Sequence, residues 1–212
     1  LAHAADRYTT GAALYRQAEI QRIRGDLAAA ENAFREATEW GHDAQPGLAL
    51  LRLAEGDTEA AAGAIRRVVT ETTDRLRRAK LLPAYVEIML ATNDIPRARE
   101  AADELSQIAG VYDTPAQRAA AGYALGSVLL AEGDARRALG ALRGAWDEWR
   151  ALQAPYEAAR TRVLIGLGCR ALGDEESAAL ELDTARRAFE ELGAEPDLAR
   201  VEQLMRKHAD SD

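Results

Sequence analysis

Five glycine- or asparagine-aspartate pairs punctuate this chain at spacings that suit a row of helix hairpins. They are Gly25-Asp26, Gly56-Asp57, Asn93-Asp94, Gly133-Asp134 and Gly173-Asp174, separated by steps of 31, 37, 40 and 40 residues. Glycine suits the left-handed position that ends a helix, and asparagine is the second choice there. Aspartate suits the N-cap of the next helix, where its carboxylate accepts a free backbone N–H. Each pair therefore reads as a tight turn between two antiparallel helices, a first helix A and a second helix B.

The residues around the turns keep one register. Five positions after each Gly or Asn stand Ala30, Ala61, Ala98, Ala138 and Ala178. Seven positions before it stand Ala18, Ala49, Val86, Gly126 and Gly166, small except for the valine. Four beyond the alanine stand Phe34, Ile65, Ala102, Leu142 and Leu182, large except for Ala102. Three- and four-residue steps return to one face of a helix, so these positions form the seam of each hairpin. Repeats of this length mean stacked supersecondary units. The expectation is one all-α domain over residues 1–212, with about five hairpins.

Local signals place the helix ends. Leu1 to Tyr8 finishes an earlier helix or begins a long first one, and that first helix runs to about Arg24. Pro46 suits the first turn of a short helix ending near Ala54, and Thr73 is the expected cap of the next. That helix carries Pro83 in its middle, where a kink is expected. Thr114-Pro115 and Pro155 open two further helices. A last helix from about Pro196 to His208 sets Leu198, Val201, Leu204 and Met205 on one face and charge on the other. It reads as a capping helix.

Composition narrows the function classes. The net charge of −8 and pI of about 5.1 argue against a nucleic-acid face in this segment. The single cysteine, Cys169, reads as a core residue, forbids an intrachain disulfide and fits a reducing compartment, so a cytoplasmic location is expected. The most apolar run, Leu81 to Leu90, contains Glu87 and is too short to cross a bilayer. The chain opens at Leu1 without methionine and reads as a piece of a longer protein. Leu1 to Ala5 offers no cap, so that end is expected to meet missing repeats or a second copy of the chain.

No constellation for catalysis stands out. His3, His42 and His208 fall in separate repeats without metal-ligand spacing, so no metal and no cofactor is expected. No phosphate-binding glycine loop is present, and Gly122, Gly126, Gly166 and Gly168 read as close-packing positions inside helices. Ser127 and Ser177 have no histidine near in sequence, and Glu190-Glu191 reads as solvated surface. Trp146 and Trp149 share a helix face, either as packing between repeats or as a ligand platform; Trp40, where the first B helix ends, is equally ambiguous. The expectation is a protein that is not an enzyme.

A stack of hairpins does offer a concave surface built mainly from its A helices. The side chains opposite the seam are Tyr15, Glu19, Arg22, Leu50, Leu53, Pro83, Glu87, Leu90, Tyr123, Ser127, Leu130, Val163, Leu167 and Arg170. They describe an apolar groove with Tyr, Arg and Glu interspersed, and aromatics and Arg are the usual anchors of protein contacts. Tyr15, Arg22, Tyr123 and Arg170 are the first choices for anchors.

The small residue of helix A, the turn, the alanine and the large residue of helix B resemble the tetratricopeptide repeat (TPR). The aromatic that many such repeats carry early in helix A is missing; Leu14, Gln45, Leu82, Gly122 and Arg162 stand there. The resemblance implies an all-α right-handed superhelix, an α-solenoid of antiparallel hairpins with a C-terminal capping helix. A further likeness is more specific. The run from Pro155 to Leu204, PYEAARTRVLIGLGCRALGDEESAALELDTARRAFEELGAEPDLARVEQL, resembles the helical-repeat region of LuxR-family transcriptional regulators of actinobacterial type, and so does the run from Ala44 to Val69. In that family a C-terminal helix-turn-helix binds DNA. The chain ends at Asp212 with no such element, so by resemblance DNA binding belongs to a bacterial parent protein. The expected partner is a protein or peptide, or a small effector, with no membrane contact. A stand-alone adaptor that assembles other proteins is the alternative.

Overall fold

A computed structural model describes the backbone of residues 2–209 and the side chains of residues 9–206. The expectations for His3, for the side chain of His208 and for the surface of Leu1 to Ala5 lie outside the described residues. Among those described, the chain forms eleven α-helices and no strand. Contacts divide it into two compact units, Leu1–Thr92 and Asn93–Asp212.

The first unit holds α1 (Ala2–Arg24), α2 (Leu27–Glu39), α3 (Gly47–Ala54), α4 (Thr58–Glu71) and α5 (Arg75–Ala91). Helix α1 pairs with α2, α3 with α4, and α4 with α5, while α3 also touches α1, α2 and α5. The second unit holds α6 (Ile95–Tyr112), α7 (Pro115–Ala131), α8 (Ala135–Ala151), α9 (Pro155–Ala171), α10 (Glu175–Leu192) and α11 (Glu195–Ala209). Each of these packs on the next, and α7 also touches α9. Within each unit the A helices are therefore neighbours, as stacked hairpins require.

The turns form as their residues dictate. At Gly133, φ is 84°; its N–H donates to the Leu130 carbonyl at 3.0 Å, and the Asp134 N–H donates to the Leu129 carbonyl at 2.9 Å. This is a Schellman ending, which satisfies carbonyls the helix leaves open. The same pair of bonds closes the turns at Gly25, Gly56 and Gly173. Asn93 takes the left-handed conformation with φ of 60°. Asp26, Asp57, Asp94, Asp134 and Asp174 each accept a backbone N–H three residues on, from Ala29, Ala60, Arg97, Arg137 and Ser177.

The seam register is buried throughout. Ala30, Ala61, Ala98, Ala138 and Ala178 are each 0% exposed, and Phe34, Ile65, Ala102, Leu142 and Leu182 are 1% exposed or less. Alanine at the first set lets two helices approach, and the larger residue one turn on fills the space beside the crossing. Burying a side chain such as Leu142 or Phe34 contributes about 1.5–3 kcal/mol. The glycines behave as close-packing positions. A Cβ on Gly166 would lie 2.9 Å from Leu182 Cγ, and one on Gly168 would lie 2.9 Å from Leu139 Cδ2.

One boundary differs from expectation. The cap of α5 is Asp74 rather than Thr73, because the Asp74 carboxylate reaches the Arg77 N–H at 2.8 Å. Helix α6 ends at Tyr112, where Asp113 turns left-handed with φ of 45°. Helix α5 continues through Pro83. Helix α11 buries Val201 and half-buries Leu198, Leu204 and Met205, the expected face. No helix among the described residues is long and apolar enough to cross a membrane.

Candidate functional site

The groove residues lie where the A helices are neighbours, and many of them are tied up inside their own unit. Tyr15 on α1 is half-buried. Its ring meets Phe34 edge-on at 5.4 Å and His42 at 5.2 Å, and its hydroxyl oxygen accepts the Gly47 N–H at 3.2 Å. Burial, with the Glu19 charge as second cause, pushes its phenol up to about 12. Glu19 and Arg22 pair with each other through two bonds, of 3.1 and 3.2 Å. On α3 and α5, Leu50, Leu53, Pro83, Glu87 and Leu90 are half-buried.

In the second unit, Tyr123 lies under the Arg160 guanidinium, 5.2 Å from the ring centroid. The Ser127 hydroxyl donates to the Tyr123 carbonyl of its own helix at 2.8 Å. Leu130 packs on the core cluster around Leu139 and Leu142, and Leu167 is half-buried. Val163 is buried, 7% exposed, and so belongs to the core more than to a surface. Arg170 donates to the Leu204 carbonyl at 3.2 Å and lies 3.4 Å from a Glu175 carboxylate oxygen, which pins α11 to α9. Cys169 is buried, burial pushes its thiol up, and the inert form of such a thiol packs like a small apolar residue.

A cavity lies elsewhere, between the last turns of α8, the start of α9 and the middle of α10. Its volume is about 460 Å³. Helix α8 and the link after it supply Trp146, Trp149, Arg150 and Gln153, at offsets of three, four and seven residues. Helix α9 supplies Pro155, Ala158, Ala159 and Arg162 at the same offsets, and α10 supplies Thr184 and Ala188. These steps put each set on one helix face. Small residues on α9 and α10 leave the space that the two indoles border.

Its polar groups are few and distinctive. The guanidinium carbons of Arg150 and Arg162 lie 4.6 and 4.5 Å from the Trp146 ring centroid. Such cation–π contacts contribute roughly 0.5–1 kcal/mol where exposed and more where desolvated. Arg162 is also ion-paired with Glu181 on α10. The Trp149 Nε1–H is shielded from solvent and has no hydrogen-bond partner among the described residues. A buried unpaired donor costs about 1–3 kcal/mol, and with no accessible surface this one is closed off from the cleft. Gln153 holds a left-handed backbone, φ 55°, at the cleft's edge. Its bonds are those of the repeat turns, so the left-handed position is the ordinary ending of α8. Among the described residues no group of three or more His, Cys, Asp or Glu side chains could hold a metal ion.

Sequence reasoning noted Trp146 and Trp149 but left them open between packing and a ligand platform. It did not bring Arg162, Gln153 or Thr184 to them. The signal available was the matching three-, four- and seven-residue offsets on α8 and α9.

No family model matches the chain, and no curated protein matches it. Among solved structures, the crystal structure of BtubC (BKLC) from P. vanneervenii is similar in fold. It is 19% identical, the match covers 88% of this chain and 89% of that one, and the TM-score is 0.56. At that identity the likeness speaks for the all-helical fold alone.

Proposed function

We propose that this chain is a non-catalytic binding module that senses an effector or a protein partner. In this reading it works in the cytoplasm as the repeat region of a LuxR-type regulator, and DNA is bound by another part of the parent protein. The observation that carries the binding role is the cleft between α8, α9 and α10: two indoles and two guanidinium groups border one cavity. An apolar cavity with a few convergent polar groups is the usual form of a ligand site. The groove residues fit less well, since Tyr15, Glu19, Arg22 and Arg170 already have partners within their own units.

The test uses the Trp40→Phe chain, whose tryptophan emission reports Trp146 and Trp149 alone. A small-molecule extract and a protein fraction of a bacterial lysate are added separately. A shift in emission together with a raised melting temperature, from either fraction and abolished by Trp146→Ala, supports the module reading. Unchanged emission and melting with both fractions would count against it. Tight, salt-sensitive binding of duplex DNA by the chain alone would overturn the assignment of DNA to another segment.

A further inference from the structure

We propose that two copies of this chain associate through the outer faces of α8 and α10, with α8 of each copy lying along α10 of the other. This goes beyond the module reading and does not rest on the cleft.

The two faces share one register. Positions 3, 7, 10, 14 and 17 beyond Gly133 hold Arg136, Gly140, Arg143, Asp147 and Arg150. The same positions beyond Gly173 hold Glu176, Leu180, Asp183, Arg187 and Glu190. Steps of three and four residues keep each row on one helix face. That face is turned to solvent in both helices: Asp183 is half-buried and the others are exposed. Leu180 is 66% exposed, more than any other large apolar side chain among the described residues. A Cβ on Gly140 would meet nothing within 4 Å, so the α8 face is hollow there.

Set along each other in parallel, the rows are complementary at every level. Arginine meets carboxylate at Arg136 and Glu176, at Arg143 and Asp183, and at Arg150 and Glu190. Asp147 meets Arg187, and Leu180 enters the hollow at Gly140. Several of these charges are unanswered in the single chain. Arg136, Asp147, Arg150 and Glu176 take part in no ion pair among the described residues. Asp183 pairs with Arg186 and Arg187 of its own helix, and Glu190 with Arg186. Exposed pairs of that kind are weak and exchange at little cost.

Other pairings of the same faces fail. Two α8 faces would set arginine on arginine, and two α10 faces carboxylate on carboxylate, and like charges so placed suppress a contact. Antiparallel pairing of α8 with α10 would put Leu180 against Asp147 and Arg187 against Gly140. Parallel cross-pairing is also what the fold offers. Helix α9 packs on both helices and runs opposite to each, so α8 and α10 point the same way. A two-fold axis parallel to them places α8 of each copy on α10 of the other, and both contacts close at once. Helices of 17 and 18 residues are about 25 Å long, and two side by side offer about 500 Å² per copy. That is the low end for a specific interface, so the dimer is a weak one.

Sedimentation equilibrium of the whole chain, from about 10 to about 500 μM, suits an interface of this size. A monomer–dimer equilibrium with no larger species is expected. Arg136→Glu or Glu176→Arg alone should raise the dissociation constant about tenfold or more, because a two-fold interface meets each change twice. The two together restore opposite charges and should bring the dimer back. Leu180→Ser should weaken the dimer as well, while the dilute monomer melts where it did before, since that side chain is exposed.

A chain that stays monomeric across this range overturns the inference. A dimer indifferent to Arg136→Glu, Glu176→Arg and Leu180→Ser has its interface elsewhere and overturns it too. Growth into polymers contradicts the closed pairing. Single variants that lose the dimer without rescue by the charge swap would overturn the pairing of α8 with α10.

Discussion

A Cβ placed on Gly126 would stand 2.5 Å from the Cγ of Leu142 across the α7–α8 crossing. Leu142 is fully buried, 0% exposed, so its branch point cannot swing away freely. Gly126→Ala should therefore destabilise the chain. Overpacking of this kind costs about 1–3 kcal/mol, against which the helix gains roughly 0.5–1 kcal/mol from losing a glycine. Gly126→Leu should cost more. Gly140 on α8 is the internal control. A Cβ there meets nothing within 4 Å, so Gly140→Ala should stabilise by about 0.5–1 kcal/mol. Urea midpoints of the variants must move in opposite directions; a shift of the same sign would refute the close-packing role of Gly126.

Tyr15 gives the first unit a pH dependence at its alkaline end. Its phenol is pushed up to about 12 by burial, with the Glu19 charge second, while an unfolded tyrosine titrates near 10. The folded chain thus holds this proton where the unfolded chain has lost it. Stability is unaffected below about pH 10 and falls as pH rises from there toward 12. Tyr15→Phe removes that slope. It also leaves the Gly47 N–H without its acceptor, which costs about 1 kcal/mol at neutral pH. Denaturation followed from neutral to alkaline pH in both chains checks the two effects together. A Tyr15→Phe chain that keeps the full alkaline slope would rule Tyr15 out as its source.

The hairpins were legible because their signals are local. A turn glycine, a capping aspartate and an alanine five residues on lie within one stretch of chain, and each acts through bonds to its near neighbours. The cleft between α8, α9 and α10 was not legible in the same way. Trp149 and Arg162 are 13 residues apart on different helices, and only the packing of α8 on α9 brings their faces together. Tyr15 shows the same limit. The register put it opposite the seam, but its contacts run to Phe34, His42 and Gly47, all of them beyond α1. Thr73 and Asp74 are both good caps, so composition could not choose between them; the backbone geometry did.

Gln153 occupies a left-handed position that glycine holds at the repeat turns, with φ of 55°. The bonds around it are the same as at those turns: Gln153 N–H to Arg150 carbonyl and Ala154 N–H to Trp149 carbonyl, each 3.0 Å. A side chain there costs about 1 kcal/mol or more relative to glycine. Gln153→Gly should raise stability by about 1 kcal/mol. Melting temperature of the variant measures the change. Lower stability in the glycine variant would contradict the strain argument.

Arg170 was an anchor candidate, yet the structure uses it to hold the last helix. Its guanidinium donates to the Leu204 carbonyl on α11 and lies 3.4 Å from Glu175 on α10. The Tyr156 hydroxyl makes the second tie, donating to Asp197 at 2.8 Å. With Arg170→Ala the first tie is lost and the second remains, so α11 should loosen without the unit unfolding. Charged hydrogen bonds contribute about 1.5–3 kcal/mol, and local opening draws on that energy alone. Amide exchange over residues 198–206 should therefore accelerate about tenfold or more, while exchange in α7 and α8 stays as it was. Arg170→Lys should restore only part of the protection, because a single ammonium cannot reproduce the planar fork. Unchanged exchange in α11, together with lost binding of a protein partner, would return Arg170 to the role of an anchor.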